Sequence, residues 1–204
     1  MNFLHKIPIF VWSLFYPCKI HGKENIPKEG ASVLVCNHFR AIDCGFVARA
    51  YSKDVFFLAK KELFDNKLLG GIVTWYGAIP IDRENPDLKS LLRASKVLKE
   101  GHKLVIFPEG TRNKEGNELQ EIKGGSAMFA VKAKCPIVPM MLSGRAKIFR
   151  RTHLIVGEPF ELSEFYDKKI TPELMQEMDN IVAEKMKEQM AILTEKLSKK
   201  KGKK

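Results

Sequence analysis

From residue 19 onward the chain alternates short apolar runs with amphipathic segments, the pattern of strands joined by crossover helices. Six runs read as strands: Ser32 to Cys36, Val55 to Ala59, Ala78 to Ile81, Lys103 to Phe107, Ile137 to Leu142 and His153 to Val156. Nearly all lack the polar alternation of a half-exposed sheet, as parallel strands covered on both faces do. Between them, Asn85 followed by Pro86 predicts a helix start, with Leu88, Leu91, Leu92, Ser95 and Leu98 on one face and Gly101 as the stop. A second helix is predicted from Gly125 to Lys134, ended by Pro136. A third, capped by Thr171 with Pro172 in its first turn, carries the apolar stripe Leu174, Met178, Ile181, Val182, Met186, Met190, Leu193 and Leu197. The pattern predicts an α/β fold: a single domain with a mostly parallel central sheet flanked by helices, and a long C-terminal amphipathic helix. No internal repeat is visible.

The two ends of the chain depart from this alternation. The start, MNFLHKIPIFVWSLFYPCKI, is apolar and aromatic, but Pro8 and Pro17 bracket a run far shorter than the roughly 20 residues of a spanning helix. No small-residue cleavage site follows Tyr16, which argues against a signal peptide. The aromatic side chains with Lys6 and Lys19 nearby predict a short membrane-interfacial helix, the alternative being a core helix packed on the domain. The other end, SKKKGKK, is too charged to pack and reads as a mobile tail that can meet an anionic leaflet, contact nucleic-acid phosphates or merely aid solubility. The predicted organisation is an anchor over residues 1–17, a catalytic domain over 18–166, a C-terminal helix over 171–198 packed on it, and a polybasic tail over 199–204.

Composition narrows the partners. At 204 residues the chain holds one well-filled core, and 45% apolar with 29% charged residues fits a globular body. A net charge of +11 calls for an anionic partner: phospholipid headgroups, nucleic acid or a phosphorylated substrate. Cysteines at 18, 36, 44 and 135 have neither paired CxxC spacing nor the density of a disulfide scaffold, so a reducing compartment is expected and a zinc site is not.

Two motifs carry the chemistry. In NHFRAID, at 37–43, His38 directly follows a strand, where a doubly wound sheet places its ligands. Five residues of regular helix turn through about 500°, so His38 can meet Asp43 only if the histidine sits in the loop and the aspartate in the first turn of the next helix. Asp43 would then accept the Nδ1 hydrogen, leave Nε2 free to take a proton and stabilise the imidazolium. Taken alone, the pair reads as a structural hydrogen bond as well as a base. In FPEGTR, at 107–112, Pro108 and Gly110 turn the chain after a strand and Arg112 is presented from the turn; GAIPIDR ends another strand with Arg83. Planar guanidinium groups hold phosphate in a bidentate manner, the alternative for each being an ion pair with Asp82 or Glu109. Lys60, Lys61 and Lys123 can add positive charge to the same mouth.

With four blocks in order, NHFRAID at 37, AKKELF with GAIPIDR at 59 and 77, FPEGTR at 107 and IVPM at 137, the chain resembles the lysophosphatidate (1-acylglycerol-3-phosphate) acyltransferases, the PlsC family, over roughly residues 20 to 160. The resemblance implies transfer of a fatty acyl chain from a thioester of coenzyme A or acyl carrier protein to the sn-2 hydroxyl of 1-acyl-glycerol-3-phosphate, giving phosphatidic acid. His38 would be the base and Asp43 its orienter. Arg112 and Arg83 would hold the acceptor phosphate, with Glu109, Gly110 and Thr111 shaping that site. Lys60 or Lys61 would stabilise oxyanion charge, and Pro139 would help form the donor side. No metal and no cofactor beyond the thioester co-substrate are implied, and the enzyme would work at the cytoplasmic face of a membrane as a peripheral or monotopic protein. Arg40 stands where the family often has serine, and Gly124 and Gly125 where a single glycine is common. Three readings compete with this one: a different acceptor, such as glycerol 3-phosphate or another lysolipid; a hydrolase that activates water with His38 and Asp43; and a nucleic-acid-binding module, which lacks interleaved aromatic residues and any recognised motif. An acyl-enzyme on Cys36 or Cys44 is a further route.

Overall fold

The computed structural model describes residues 11–51, 55–82, 87–122 and 125–201, with the backbone alone for 200–201. Helix α1 (residues 11–15) leads into β1 (Cys18–His21) and β2 (Ser32–Cys36), then α2 (Asp43–Tyr51), β3 (Val55–Lys60), α3 (Lys67–Trp75), β4 (Ala78–Ile81), α4 (Leu88–Lys99), β5 (Lys103–Ile106), α5 (Ser126–Ala133), β6 (Ile137–Leu142), β7 (Thr152–Val156) and α6 (Pro172–Lys201). The strands form one seven-stranded sheet in the order β1-β7-β6-β2-β5-β3-β4. Every neighbouring pair is parallel except β6 with β7. Among the described residues no helix is long and apolar enough to cross a membrane.

Alternation along the central strands explains why their sequences are apolar throughout. Val33 and Val35 pack with Leu104, Ile106, Ile137 and Met141 on the face covered by α4, α5 and α6. Leu34 and Cys36 pack with Val105, Val138, Met140 and Leu142 on the face covered by α1 and α2. Both faces of β2 are dry, and each such side chain contributes roughly 1.5–3 kcal/mol through burial. Register sets the ends of the strands level: Val35 lies opposite Ile106 on one side and Pro139 on the other.

Several local expectations need correction. The cap of α4 is Asp87, whose carboxylate accepts from the backbone and hydroxyl of Ser90 (2.7 and 2.8 Å); Asn85 and Pro86 lie outside the described residues. With its hydroxyl satisfied, Ser90 can be buried, and the helix turns Ser90, Ala94, Val97 and Leu98 inward while Leu88 and Leu92 stay exposed. Helix α5 ends at Lys134 in the left-handed conformation (φ 49°) before Pro136. On α6, Met178, Val182, Met186 and Leu193 are buried as the stripe requires, but the helix runs on to Lys201, into the lysine run. Helix α2 begins at Asp43, as the loop-and-first-turn reading of NHFRAID requires; α3 is an addition to the sequence pattern, and β3, β5 and β7 each differ from it by one residue at one end.

Candidate active site

The carboxyl ends of β2 and β5 are adjacent, and the two motifs extend from them. Asn37 fixes the start of the first loop: its side chain accepts from Leu142 N (2.7 Å) and donates to Leu142 O (3.1 Å), continuing the β2–β6 pairing by one rung. Beyond it the loop closes on Asp43, the first residue of α2. A single carboxylate oxygen, Oδ2, accepts from His38 Nδ1 (3.1 Å), Phe39 N (2.6 Å) and Arg40 N (2.7 Å). His38 is therefore in the loop and Asp43 in the first turn, the one geometry in which the pair can meet. Asp43 is fully buried, and its Oδ1 has no hydrogen-bond partner among the described residues. With Nδ1 donating to the carboxylate, Nε2 is the basic nitrogen.

The second motif supports the first from beneath. Gly110 N donates to Phe107 O (3.1 Å), closing a turn with Pro108 second and Gly110 fourth at φ 65°, a conformation glycine adopts without strain. This turn aims Glu109 inward, where Oε1 accepts from His38 N (2.8 Å) and Oε2 from Gln120 N (3.4 Å). Burial raises the Glu109 carboxyl, opposed by these two donors. Asn113 N donates to His38 O (2.7 Å), and Phe107 stacks on the imidazole with ring centroids 4.1 Å apart. The histidine is thus held by its ring nitrogen, its backbone on both sides and its ring face. Glu109 is bound by backbone donors, so the ion pair considered for Arg112 is not what its carboxylate makes.

His38 lines an apolar cavity of about 410 Å³ that runs over β3 and β4 between α1, α2 and α3, within the roughly 300–1,000 Å³ of small-molecule sites. Trp12, Ile42, Gly45, Ala48, Phe57, Leu63, Val73, Tyr76 and Phe107 are among its walls, and Lys60 and Arg112 are its cationic members. Lys61 instead pairs with Asp82, which raises its pKa, and it is not part of the lining. Lys60 reaches Glu62 (2.8 Å) at the rim. Thr111 is exposed on the turn. Arg83, Lys123 and Gly124 lie outside the described residues. Pro139 lies on β6 and lines a separate depression with Val156 and Gln189.

Beyond Ala41 and Ile42 a second hollow of about 520 Å³ shares Arg112 with the cavity and adds Arg40, Lys114 and Arg145. Two of these guanidinium groups are anchored: Arg40 donates to Ala146 O (3.2 Å), and Arg145 to Asn113 O and Lys114 O (both 3.1 Å). Among the described residues no carboxylate lines this groove. Lys114 and Arg145 escaped the sequence reading; a cation just past a motif, and another three residues after a strand, are the only signals the chain offers. The two nearby thiols are poor nucleophiles, since burial pushes Cys44 up to about 12 and Cys36 well above its ordinary range, reinforced by the Asp43 charge. Among the described residues no group of three or more His, Cys, Asp or Glu is placed to hold a metal.

Fold and site together define an α/β enzyme in which an oriented histidine lines an apolar cavity that shares Arg112 with a groove of cations. Residues 17–143 match the Acyltransferase family. The 1-acyl-sn-glycerol-3-phosphate acyltransferase of Bacillus subtilis is 36% identical over 155 residues, 72% of this chain and 75% of that protein. The enzyme of the same name from Streptococcus pneumoniae is 32% identical over 182 residues, 85% of this chain and 66% of that protein. The crystal structure of the 1-acyl-sn-glycerophosphate (LPA) acyltransferase PlsC from Thermotoga maritima superposes with a TM-score of 0.66 at 25% identity, covering 88% of this chain and 74% of that one. The chain belongs to the Acyltransferase family.

Proposed function

We propose that this acyltransferase moves a fatty acyl chain from a thioester of coenzyme A or acyl carrier protein to the sn-2 hydroxyl of 1-acyl-glycerol-3-phosphate, giving phosphatidic acid. The observation that carries the reading is that His38 and Arg112 line one apolar cavity, with Nδ1 of the histidine bound to Asp43. An acyl chain fits the cavity walls, and a phosphate fits Arg112 and the groove formed with Arg40, Lys114 and Arg145. Arg83 is proposed to reach the same phosphate, while Gly110, Thr111 and Glu109 shape the turn that presents Arg112.

Catalysis follows from the residue types. His38 Nε2 takes the acceptor's hydroxyl proton as the oxygen bonds to the thioester carbon, and Asp43 stabilises the imidazolium. Of the two lysines, Lys60, which lines the cavity where Lys61 does not, is the one proposed to stabilise the developing oxyanion. The carbon–sulfur bond then breaks and the departing thiolate receives the proton from the imidazolium. The protein would work at the cytoplasmic face of a membrane as a peripheral protein, held by residues 1–17 and the basic end of the chain. Thiol release measured in vesicles with both donors and a panel of lysolipid acceptors, glycerol 3-phosphate included, tests this. Release should require lysophosphatidate and vanish in His38→Ala; free fatty acid formed without an acceptor, or equal activity of the two proteins, refutes it.

A further inference from the structure

The groove beside the cavity holds more positive charge than lysophosphatidate can match. Arg40, Arg112, Lys114 and Arg145 line it, and among the described residues none of the four forms an ion pair with a carboxylate. A phosphomonoester carries about −1.5 to −2 charges at pH 7, so one such group leaves roughly two of these cations unmatched. Gathering like charges works against the compact state, and the fold does not relieve it. The guanidinium group of Arg40 donates to Ala146 O, and that of Arg145 to Asn113 O and Lys114 O; these carbonyl bonds fix the cations and leave their charge in place. Together with the bond from Asn113 N to His38 O, they brace the loops after β2, β5 and β6 against one another, so the cations are set in position relative to the base. Space agrees with charge. The hollow, of about 520 Å³, far exceeds one phosphate group, whose bulk is that of roughly three waters at about 30 Å³ each. Ala41, Ile42 and Arg112 belong to both linings, so a substituent on a phosphate held by Arg112 at that junction extends into the groove, alongside Arg40 and Lys114.

We infer that the groove is a site for a second phosphate, which extends the acceptors to lysophospholipids whose headgroup carries a terminal phosphomonoester beyond its phosphodiester. The inference rests on the acyl-transfer reading of His38 and Arg112. The chemistry at the sn-2 hydroxyl is the same: the ester C–O bond forms, the thioester C–S bond breaks and the hydroxyl proton ends on the thiol. Three acceptors sharing one short acyl chain test it: lysophosphatidate, lysophosphatidylglycerol, and lysophosphatidylglycerol phosphate, which adds the terminal phosphate. Calorimetric titration without donor should show the third binding about 30-fold or more tighter than the second, the size of a charge-assisted hydrogen bond or two, and thiol release should rank the two alike in kcat/KM. Arg40→Gln, whose amide can still donate to Ala146 O but has no charge, should cut that ratio by about tenfold or more, whereas Arg40→Lys should keep most of it. A purely structural brace gives the reverse pattern. Equal binding of the second and third acceptors, or a ratio untouched by Arg40→Gln, overturns the inference, and continued acylation of lysophosphatidate then leaves the proposed function standing. Coenzyme A affinity that falls in Arg40→Gln with the acceptor ratio unchanged assigns the groove to the donor's phosphates and overturns it too. A protein that prefers the two-phosphate headgroup in calorimetry yet transfers no acyl group keeps the second-phosphate site, while the acyl-transfer reading falls.

Discussion

Replacing Asp43 by asparagine isolates the charge from the shape of the loop. Oδ2 carries three donors and Oδ1 none, so the amide has one tolerable orientation: its oxygen in the place of Oδ2, its NH₂ buried in the place of Oδ1. An orphaned buried donor costs about 1–3 kcal/mol of stability. The protein should therefore remain folded but melt earlier. The catalytic loss is larger. With imidazolium and carboxylate charge centres about 4 Å apart and an effective dielectric constant of about 20, their attraction is about 4 kcal/mol, or about 10³ in rate. Stopped-flow thiol release at saturating lysophosphatidate should show that loss in kcat, with the acceptor KM changed by less than about threefold, because Asp43 touches the base and not the phosphate. The double variant His38→Ala/Asp43→Asn should be no slower than His38→Ala. A kcat within about tenfold of wild type, or additive losses in the double variant, would refute the role of Asp43 as the orienting carboxylate.

Three further outcomes follow from other residues. Arg112→Ala and Arg145→Ala should each raise the acceptor KM by about tenfold or more while kcat falls less, the size of a lost charge-assisted hydrogen bond; steady-state kinetics over acceptor concentration read this directly. Ala48→Phe fills the cavity and should move donor preference toward shorter acyl chains, measured by competition between thioesters of different length. Asp179, 4% exposed on α6, has its carboxyl raised by burial from 3.8 to about 6. The folded state then binds the extra proton, so stability falls as pH rises from about 4 to about 6 and the penalty is complete above that window. Asp179→Asn should gain about 1–3 kcal/mol near pH 7 and nothing below about pH 4, as read from urea unfolding at each pH.

The parts of the fold legible in the sequence are those whose physics is local or uniform. Strands β2, β5 and β6 are covered on both faces, so their apolar runs stand out at any register. Helix α6 announces itself by a cap, a proline and a periodic stripe. Helix α3 was illegible because LLGGIV contains two glycines and no polar face, and its exposed leucines contradict the pattern by which helices are found. The face of α4 was misjudged because Asp87, not Asn85, caps it, and a capped serine can be buried. At the site, His38 and Asp43 were readable from spacing, since loop and first turn are neighbours in the chain. The groove was not, because Arg40, Arg112, Lys114 and Arg145 come from three loops that only the strand order brings together.

The amide of Asn37 has a consequence for when the cost of ordering the site falls. A strand end normally frays, and a loop beginning there would sample many positions before a substrate could fix it. Here a side chain imitates a backbone rung against Leu142, so the loop leaves the sheet from a point as rigid as the sheet itself. The entropy of aligning the imidazole is lost once, during folding, and binding free energy from each substrate molecule remains available for bringing hydroxyl and thioester together.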